Sequence, residues 1–322
     1  MSSTALLSDA RDLAAPFQDC ADVLECPVTG EGLIPGLPEF CNASSSRCYQ
    51  VNDGIPNLVA PLEPETAQRN ATGAQTAVAV AAPFPNYDDI TSREILARRA
   101  KQNLLSAMLD QQLPDGAVIL EAGCGTGHLT NFLGMSWRRR IFGGDADLNS
   151  LRLANGFRSR FRIVNAAFVQ MNLFCPPFRD GSLDAVIANG VLHHTADSRN
   201  AFNALVRKVK PGGVILIGLY NRLGRLPTRW RQRWFGPTRD QHDCPYESTH
   251  SVTEMLTWFD ANEIEFLSSV PPADGSPFSA TTNLFQPRAR GSSLQHLSTE
   301  LKMLLDGGRD GGLFIMTGRK RR

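Results

Sequence analysis

Short apolar runs alternate with helical patterns along the middle of the chain, and this alternation restricts the fold more than any other feature. The apolar runs read "AVILEAG", "RIFGGD", "RIVNAAFVQM", "LDAVIAN" and "GVILIGLY" and lie between residues 117 and 220. Helical patterns begin near residues 126, 147 and 198. When strands and helices alternate in this way, the strands pair in parallel and the helices cover both faces of the sheet. The sequence therefore predicts an α/β fold with a mostly parallel sheet.

The turn after the first apolar run reads "EAGCGTG", an acidic residue followed by three alternating glycines. It lacks the Lys-Ser/Thr pair of a P-loop and the glycine spacing of a dinucleotide fingerprint. The glycines have no Cβ atom, so a ligand can approach the backbone closely. The carboxylate of Glu121 would repel a pyrophosphate and suits a cationic ligand. S-adenosylmethionine carries an ammonium, a sulfonium and no phosphate, and we predict that the turn binds this cofactor.

Four motifs in order resemble those of class I S-adenosylmethionine-dependent methyltransferases. They read "VILEAGCGTGHL", "FGGDADLNSL", "FVQMNLFCPPFRDGSLDAVIANGVLHHTAD" and "LVRKVKPGGVILIGLYN". The likeness is greatest to the branch whose fourth-strand motif ends in "LHH", and it covers about residues 115–220. The resemblance implies a Rossmann-like sheet of seven mostly parallel strands with the last strand antiparallel. It also implies an enzyme that uses S-adenosylmethionine as its methyl donor.

The same resemblance implies roles for individual residues around the cofactor. Glu121 and the glycines surround the methionyl end, and Asp145 binds the ribose, although a helix cap is an alternative role for Asp145. Asn172 stands where the family usually has an Asp that accepts from the adenine amino group, and an amide oxygen accepts the same bond. Asn189 is expected beside the reacting methyl group. The full set predicted to bind the cofactor is Glu121, Gly123, Cys124, Gly125, Gly127, Asp145, Met171, Asn172, Leu173 and Asn189.

Residues on the acceptor side follow the fourth strand and continue into a lid at 222–250. His193 and His194 are candidate general bases, and the alternative is that they only shape the pocket. Tyr246 and His250 belong to a polar stretch that we expect to line the acceptor pocket. That stretch contains metal-ligand residue types, but their spacing fits no standard site, so no metal is predicted. The predicted catalytic residues are His193, His194, Tyr246 and His250.

The first part of the lid is rich in arginine and aromatic residues. These residues are Arg222, Arg225, Arg229, Arg231, Arg233 and Arg239, with Trp230, Trp234 and Phe235 between them. One interpretation is the recognition of an anionic group, with stacking on the tryptophans. The other, which the pattern favours, is an amphipathic helix that docks its aromatic residues inward and leaves its arginines in solvent.

Residues 1–60 resemble the small zinc-ribbon-like domain that accompanies several methyltransferases. Four cysteines in this module, Cys20, Cys26, Cys41 and Cys48, are candidate zinc ligands. Their spacing is wrong for a ribbon, and Thr29 replaces the second cysteine of the first knuckle. We therefore predict a metal-free module that packs on the catalytic domain. A linker is expected at 61–85, and the methyltransferase domain at 86–322.

Composition limits the class of protein and the compartment. The net charge is +1, the hydrophobic fraction is 42%, and no apolar run approaches the roughly 20 residues that span a bilayer. The first residues lack a secretory pattern, and seven cysteines favour reduced thiols in a cytoplasm. We predict a cytoplasmic methyltransferase that acts on a small or carrier-borne metabolite. The alternatives are an RNA methyltransferase, which near-neutral charge disfavours, and a non-catalytic cofactor-binding partner subunit. The sequence does not indicate an oligomeric state.

Overall fold

A computed structural model describes Phe17, Cys20 and residues 22–60, 87–235, 247–306 and 309–322. The predicted linker at 61–85 lies outside these residues. The strands are β1 (Leu33–Ile34), β2 (Glu39–Asn42), β3 (Cys48–Asn52), β4 (Ile55–Pro56), β5 (Val118–Ala122), β6 (Arg140–Asp145), β7 (Ala166–Gln170), β8 (Leu183–Asn189), β9 (Val209–Tyr220), β10 (Ile264–Val270) and β11 (Leu313–Lys320). The helices are α1 (Arg93–Gln102), α2 (Leu104–Gln112), α3 (His128–Gly134), α4 (Leu148–Arg160), α5 (Ser198–Lys208), α6 (Leu226–Phe235), α7 (Val252–Ala261) and α8 (Ser293–Leu305).

The main sheet has seven strands in the order β10-β11-β9-β8-β5-β6-β7. Strand β6 pairs in parallel with β5 and β7, whereas β11 runs antiparallel to both β9 and β10. This topology confirms the predicted Rossmann-like fold with an antiparallel last strand. Among the described helices, none is long and apolar enough to cross a membrane.

Polar side chains set several helix boundaries. The Oγ atom of Ser92 accepts the amide of Ile95 and begins α1. Helix α1 ends before Asn103, whose Oδ1 accepts the amide of Ser106 and begins α2. Such side-chain acceptors satisfy amides that have no partner within the helix.

The described chain forms two compact units. The first contains the described parts of Met1–Leu62, Ala82–Val186 and Arg207–Lys210. The second comprises, in its described part, Ile187–Val206 and Pro211–Arg322. The N-terminal module and the glycine turn therefore belong to one unit, whereas the histidines and the lid belong to the other.

The N-terminal module is an antiparallel sheet in the order β1-β2-β3-β4. Its last strand leads into a parallel bridge between Asn57 and Gln170, and the amide of Leu58 donates to the Gln170 carbonyl at 2.8 Å. The side chain of Ile55 is fully buried in a cluster on the methyltransferase side of the unit. The cluster comprises Ile55, Cys124, Leu151, Ala154 and Phe168.

The cysteines of the module do not gather as four thiolates. Cys41 and Cys48 lie opposite each other on β2 and β3 and form a disulfide. The prediction of reduced thiols is therefore wrong for this pair, because the strand register brings the two residues together. The Sγ atom of Cys26 instead contacts the Tyr49 hydroxyl at 3.0 Å and accepts the amide of Thr29 at 3.3 Å. The absence of zinc stays a prediction.

Candidate active site

The glycine turn between β5 and α3 has the backbone conformation that its sequence demands. Gly123, Gly125 and Gly127 all have positive φ angles, of 74°, 51° and 71°. A Cβ atom on Gly127 would lie 2.6 Å from the ring of Phe168. Residues other than glycine rarely adopt these angles, so the turn tolerates few substitutions. The amide of Gly123 donates to the Gly144 carbonyl at 2.7 Å, which attaches the turn to the end of β6.

The carboxyl group of Glu121 has a raised pKa. Burial is the largest cause and the nearby Asp145 charge acts in the same direction, so that the pKa rises from 4.5 to about 7 despite the lowering effect of a hydrogen bond. That bond comes from the hydroxyl of Thr130, on the first turn of α3. A buried carboxylate of this kind is stabilised by a cation. The site therefore suits the ammonium group of a ligand, as the sequence predicts.

Asp145, the last residue of β6, already accepts two backbone hydrogen bonds. Its Oδ2 accepts the amide of Gly125 at 2.8 Å, and its Oδ1 accepts the amide of Asp147 at 2.9 Å. Burial nevertheless raises the pKa of its carboxyl group. Each carboxylate oxygen keeps a second lone pair, so both oxygens can still accept from ribose hydroxyls. The alternative role as a helix cap belongs to Asp147 instead, whose side chain accepts the amides of Asn149 and Ser150.

The three residues predicted at the adenine occupy different environments. Met171 is buried, and a Cβ atom on Gly144 would lie 2.5 Å from its sulfur. Leu173 and Asn172 are half-buried. The Oδ1 atom of Asn172 accepts the amide of Phe174 at 3.0 Å and keeps one lone pair for a further donor. Leu173 is thus the more accessible of the two apolar candidates.

Tyr87, which the sequence analysis missed, braces the glycine turn. Its hydroxyl donates to the Thr126 carbonyl at 2.9 Å and accepts from the Asn131 amide group at 2.9 Å. Its ring stacks on Phe157 at 4.5 Å between centroids. Tyr87 lies outside the four motifs, so only its aromatic character ahead of α1 could have signalled this role.

In the second unit, His193 is fully buried beside His194. Their Nε2 atoms are 3.1 Å apart, and the His193 ring stacks on Tyr220 with centroids 3.8 Å apart. Burial lowers the pKa of His193 to about 2, and the positive charges around it act in the same direction. Its Nδ1 atom is buried without a hydrogen-bond partner among the described residues. His193 is therefore neutral at physiological pH and does not take up a proton there.

His250, another predicted catalytic residue, lies between a carboxylate and a hydroxyl. Its Nδ1 atom is 2.9 Å from Glu254 Oε1, and its Nε2 atom is 2.9 Å from Ser248 Oγ. The Glu254 carboxylate accepts, so Nδ1 carries a proton, and Nε2 shares a hydrogen bond with the Ser248 hydroxyl, which also donates to the His193 carbonyl at 3.3 Å. We call His193, His194, Ser248, His250 and Glu254 the histidine cluster. Ser248 also joins its two parts, because its amide donates to the His193 carbonyl at 2.9 Å.

The approach to α6 is tied to this cluster by a buried arginine. The guanidinium of Arg225 lies 3.7 Å from the centre of the Tyr220 ring and pairs with Glu247 at 2.6 Å. Arg229 also pairs with Glu247, at 3.1 Å. The pKa of the Glu247 carboxyl group is lowered. Burial is the largest single influence and raises it, but the hydrogen bonds and charges of Arg225 and Arg229 together outweigh burial. Neither Glu247 nor Ser248 was singled out as catalytic from the sequence.

Asn189 ends β8 with its side chain exposed. It occupies the space that a Cβ atom on Gly218 of β9 would fill, so the glycine is what lets Asn189 lie there. The amide of Gly190 donates to the Gly218 carbonyl at 3.0 Å and holds the end of the strand in place. Tyr246, the remaining predicted catalytic residue, lies outside the described residues.

The expected orientation of α6 is wrong. Trp230 and Trp234 are 62% and 80% exposed, whereas Arg225 and Thr228 are buried. Arg225, directly before the helix, and Thr228 therefore face inward, whereas the two tryptophans face outward. Arg225 pairs there with Glu247, which follows the helix by more than ten residues.

Comparison with known proteins identifies the region that contains these motifs. The family model described as "Methyltransferase domain" matches residues 120–217. A tRNA (carboxymethyluridine(34)-5-O)-methyltransferase of Arabidopsis thaliana is 30% identical over 186 residues, which are 52% of this chain and 43% of that protein. A mouse protein of the same description is 30% identical over 134 residues, 41% of this chain and 18% of that protein. An uncharacterized methyltransferase of Mycobacterium tuberculosis is 32% identical over 115 residues, 34% of this chain and 55% of that protein. The chain thus spans less than two thirds of the length of each of these relatives.

Proposed function

We infer that the chain methylates a carboxylate oxygen on a tRNA nucleoside. The inference starts from residues 120–217, which match the methyltransferase domain. The observation that carries the choice of acceptor is the likeness to the plant tRNA methyltransferase. That likeness spans 52% of this chain, well beyond the residues that the family model covers. The metabolite acceptor that the sequence analysis favoured stays a prediction, and the experiment below includes it.

The residues of the first unit fit the cofactor. When bound, S-adenosylmethionine supplies a methyl group activated by its sulfonium. Glu121 would hold the ammonium group, and the raised pKa of this buried carboxyl means that the cation relieves an existing cost. Asp145 would accept from the ribose with its remaining lone pairs, and Asn172 from the adenine amino group. The positive φ angles of the glycine turn leave the backbone open to close approach.

The buried His193 fits an acceptor that does not need to lose a proton. A general base contributes only where the acceptor is protonated. His193, with a pKa lowered to about 2, does not supply that base at neutral pH. The names of the two tRNA-modifying relatives describe methylation on oxygen of a carboxymethyluridine. A carboxymethyl group is a carboxylate at neutral pH, so its oxygen is already a nucleophile, and positioning is the main requirement.

Within this proposal, His193 shapes the acceptor pocket, whereas His194 and His250 orient the acceptor. Glu254 fixes the tautomer of His250, so that its Nε2 atom and the Ser248 hydroxyl form one hydrogen-bonding unit. We expect such a unit to restrict the orientation of the acceptor group. Alignment of this kind supplies up to roughly 7–11 kcal/mol of a barrier.

The test is methyl transfer from S-adenosylmethionine with a tritiated methyl group. The purified protein is incubated with total tRNA or with a small-molecule extract of the same cells, and Glu121→Gln is the matched variant. The proposal predicts label in tRNA that mild base releases as methanol, because methyl esters are base-labile. Label confined to the small molecules would overturn it, and so would base-stable label in tRNA.

A further inference from the structure

The outward face of α6 joins two aromatic rings to two positive charges. Trp230 and Trp234 are one helical turn apart, so their rings lie on the same side of the helix. They are 62% and 80% exposed. Arg231 and Arg233 are exposed beside them and form no ion pair with any residue that the structure describes. We call these four residues the tryptophan–arginine face.

Buried contacts fix the opposite side of the same helix, together with Arg225 directly before it. Arg225 and Thr228 are buried, and Arg225 is stacked on Tyr220 while it pairs with Glu247. Arg229 adds a second ion pair to the same carboxylate. The helix therefore presents its exposed face from a fixed position within the second unit. The same contacts tie the helix to the histidine cluster, because Tyr220 stacks on His193.

The chemistry of the face matches single-stranded nucleic acid. Aromatic rings stack on bases irrespective of sequence, and each stacked base contributes about 1–3 kcal/mol. Arginines at the edges of the rings neutralise backbone phosphates. A membrane surface would require a continuous apolar stripe. Between the two tryptophans, the side chains whose exposure the structure describes are those of Arg231 and Arg233, so this face lacks such a stripe.

We propose that the tryptophan–arginine face binds a single-stranded segment of the RNA acceptor, with bases stacked on Trp230 and Trp234 and phosphates on Arg231 and Arg233. This inference rests on the proposed function, since it assigns the surface that holds the same acceptor. It also explains how a chain with a net charge of +1 would bind a polyanion: the required cations are local. Neither the sequence motifs nor the family match includes this helix.

The test uses the full chain and a fluorescein-labelled single-stranded RNA of mixed sequence, with a duplex of equal length for comparison. Fluorescence anisotropy of the double variant Trp230→Ala/Trp234→Ala should show at least tenfold weaker binding of the single strand. In Arg231→Ala/Arg233→Ala the slope of log affinity against log salt should decrease by about two. The control Trp137→Ala removes a tryptophan that is 86% exposed in the first unit, and it should change affinity less than twofold.

The outcomes separate this inference from the proposed function. If the tryptophan double variant bound RNA as tightly as the wild type, the assignment of this face to RNA binding would be overturned, even if the protein methylates tRNA. Equal loss in the Trp137 control would overturn it too, as would binding of the wild type to anionic phospholipid vesicles without binding to RNA. Loss of RNA binding in the tryptophan variant alone would support the face, and it would do so even if tRNA proved not to be the methyl acceptor. Thermal melting of each variant verifies that the fold is retained.

Discussion

Replacing Glu121 by Gln should stabilise the cofactor-free protein and weaken cofactor binding at the same time. Burial is the main cause that raises the pKa of this carboxyl group from 4.5 to about 7. At about 1.4 kcal/mol for each pKa unit, an ionised Glu121 costs the folded state about 3 kcal/mol. Between about pH 4.5 and pH 7 the folded chain keeps a proton that the unfolded chain has lost. The contribution of this group to stability is therefore greatest below that window, falls as the pH rises through it, and is constant above it.

The variant removes the charge and keeps the local hydrogen bond. The amide oxygen of Gln accepts from the Thr130 hydroxyl, as the carboxylate does. We expect Glu121→Gln to gain up to about 3 kcal/mol of unfolding free energy at pH 8 and almost nothing at pH 4.5. Urea unfolding at both pH values measures the difference. Glu265→Gln, at an exposed position of β10, is the matched control and should change stability little at either pH.

Cofactor binding should respond in the opposite direction. Loss of a hydrogen bond to a charged group costs about 1.5–3 kcal/mol, so the variant should bind S-adenosylmethionine about 10- to 100-fold more weakly at pH 8. In the wild type at pH 7, about half of the Glu121 groups carry a proton that the ammonium must displace. Calorimetry in two buffers of different ionisation enthalpy detects this proton, which the variant should not release. Unchanged stability at pH 8 together with unchanged affinity would refute the assignment of Glu121.

Three further perturbations test other parts of the structure. Ile55→Ala should cost about 2–5 kcal/mol of stability and weaken cofactor binding, because the Ile55 side chain is buried in one cluster with Cys124 of the glycine turn. The control Ile34→Ala, at a position that is 58% exposed on the same module, should have neither effect. Gly218→Ala should displace the side chain of Asn189, which ends β8, and reduce turnover about 100-fold, whereas Gly156→Ala, where a Cβ atom meets nothing within 4 Å, should be neutral. The ring of His193 should show no protonation in an NMR titration from pH 5 to pH 9, since burial lowers its pKa to about 2; a midpoint inside that range would contradict its neutral role.

The parts of the fold that follow from local pattern could be predicted from the sequence. Apolar runs and glycine spacing located β5, the turn and the alternation of strands with helices, because these depend on neighbouring residues. Contacts between distant segments could not be predicted in the same way. The disulfide depends on the register of β2 against β3, and the exposed Trp234 depends on an ion pair of Arg225 with Glu247. Hydrophobicity alone predicted that this tryptophan faces inward. In the structure, the buried side holds Arg225 in its ion pair with Glu247, and Trp234 faces outward.

The histidine cluster could have been recognised only in part. His250 and Glu254 are four residues apart across the start of α7, a spacing that brings side chains together on a helix. Ser248 completes the arrangement from an irregular segment, where no periodicity operates. The burial that keeps His193 neutral arises from packing on Tyr220, which lies on another strand. Sequence therefore indicated which residue types carry the chemistry, and tertiary packing determined their charge states.

Charge balance links the proposed acceptor to these charge states. Methyl transfer from a sulfonium to a carboxylate destroys one positive and one negative charge, so charge disperses as the reaction proceeds. A surrounding of low polarity favours such a step, because it solvates the separated ions less well than the nearly neutral transition state. In the described part of the second unit, His193 is neutral and the guanidinium of Arg225 is paired with Glu247. With a neutral amine acceptor, the positive charge of the sulfonium would pass to the nitrogen, and the reaction would gain less from a surrounding of low polarity. We therefore expect these charge states to suit the anionic oxygen acceptor that we propose.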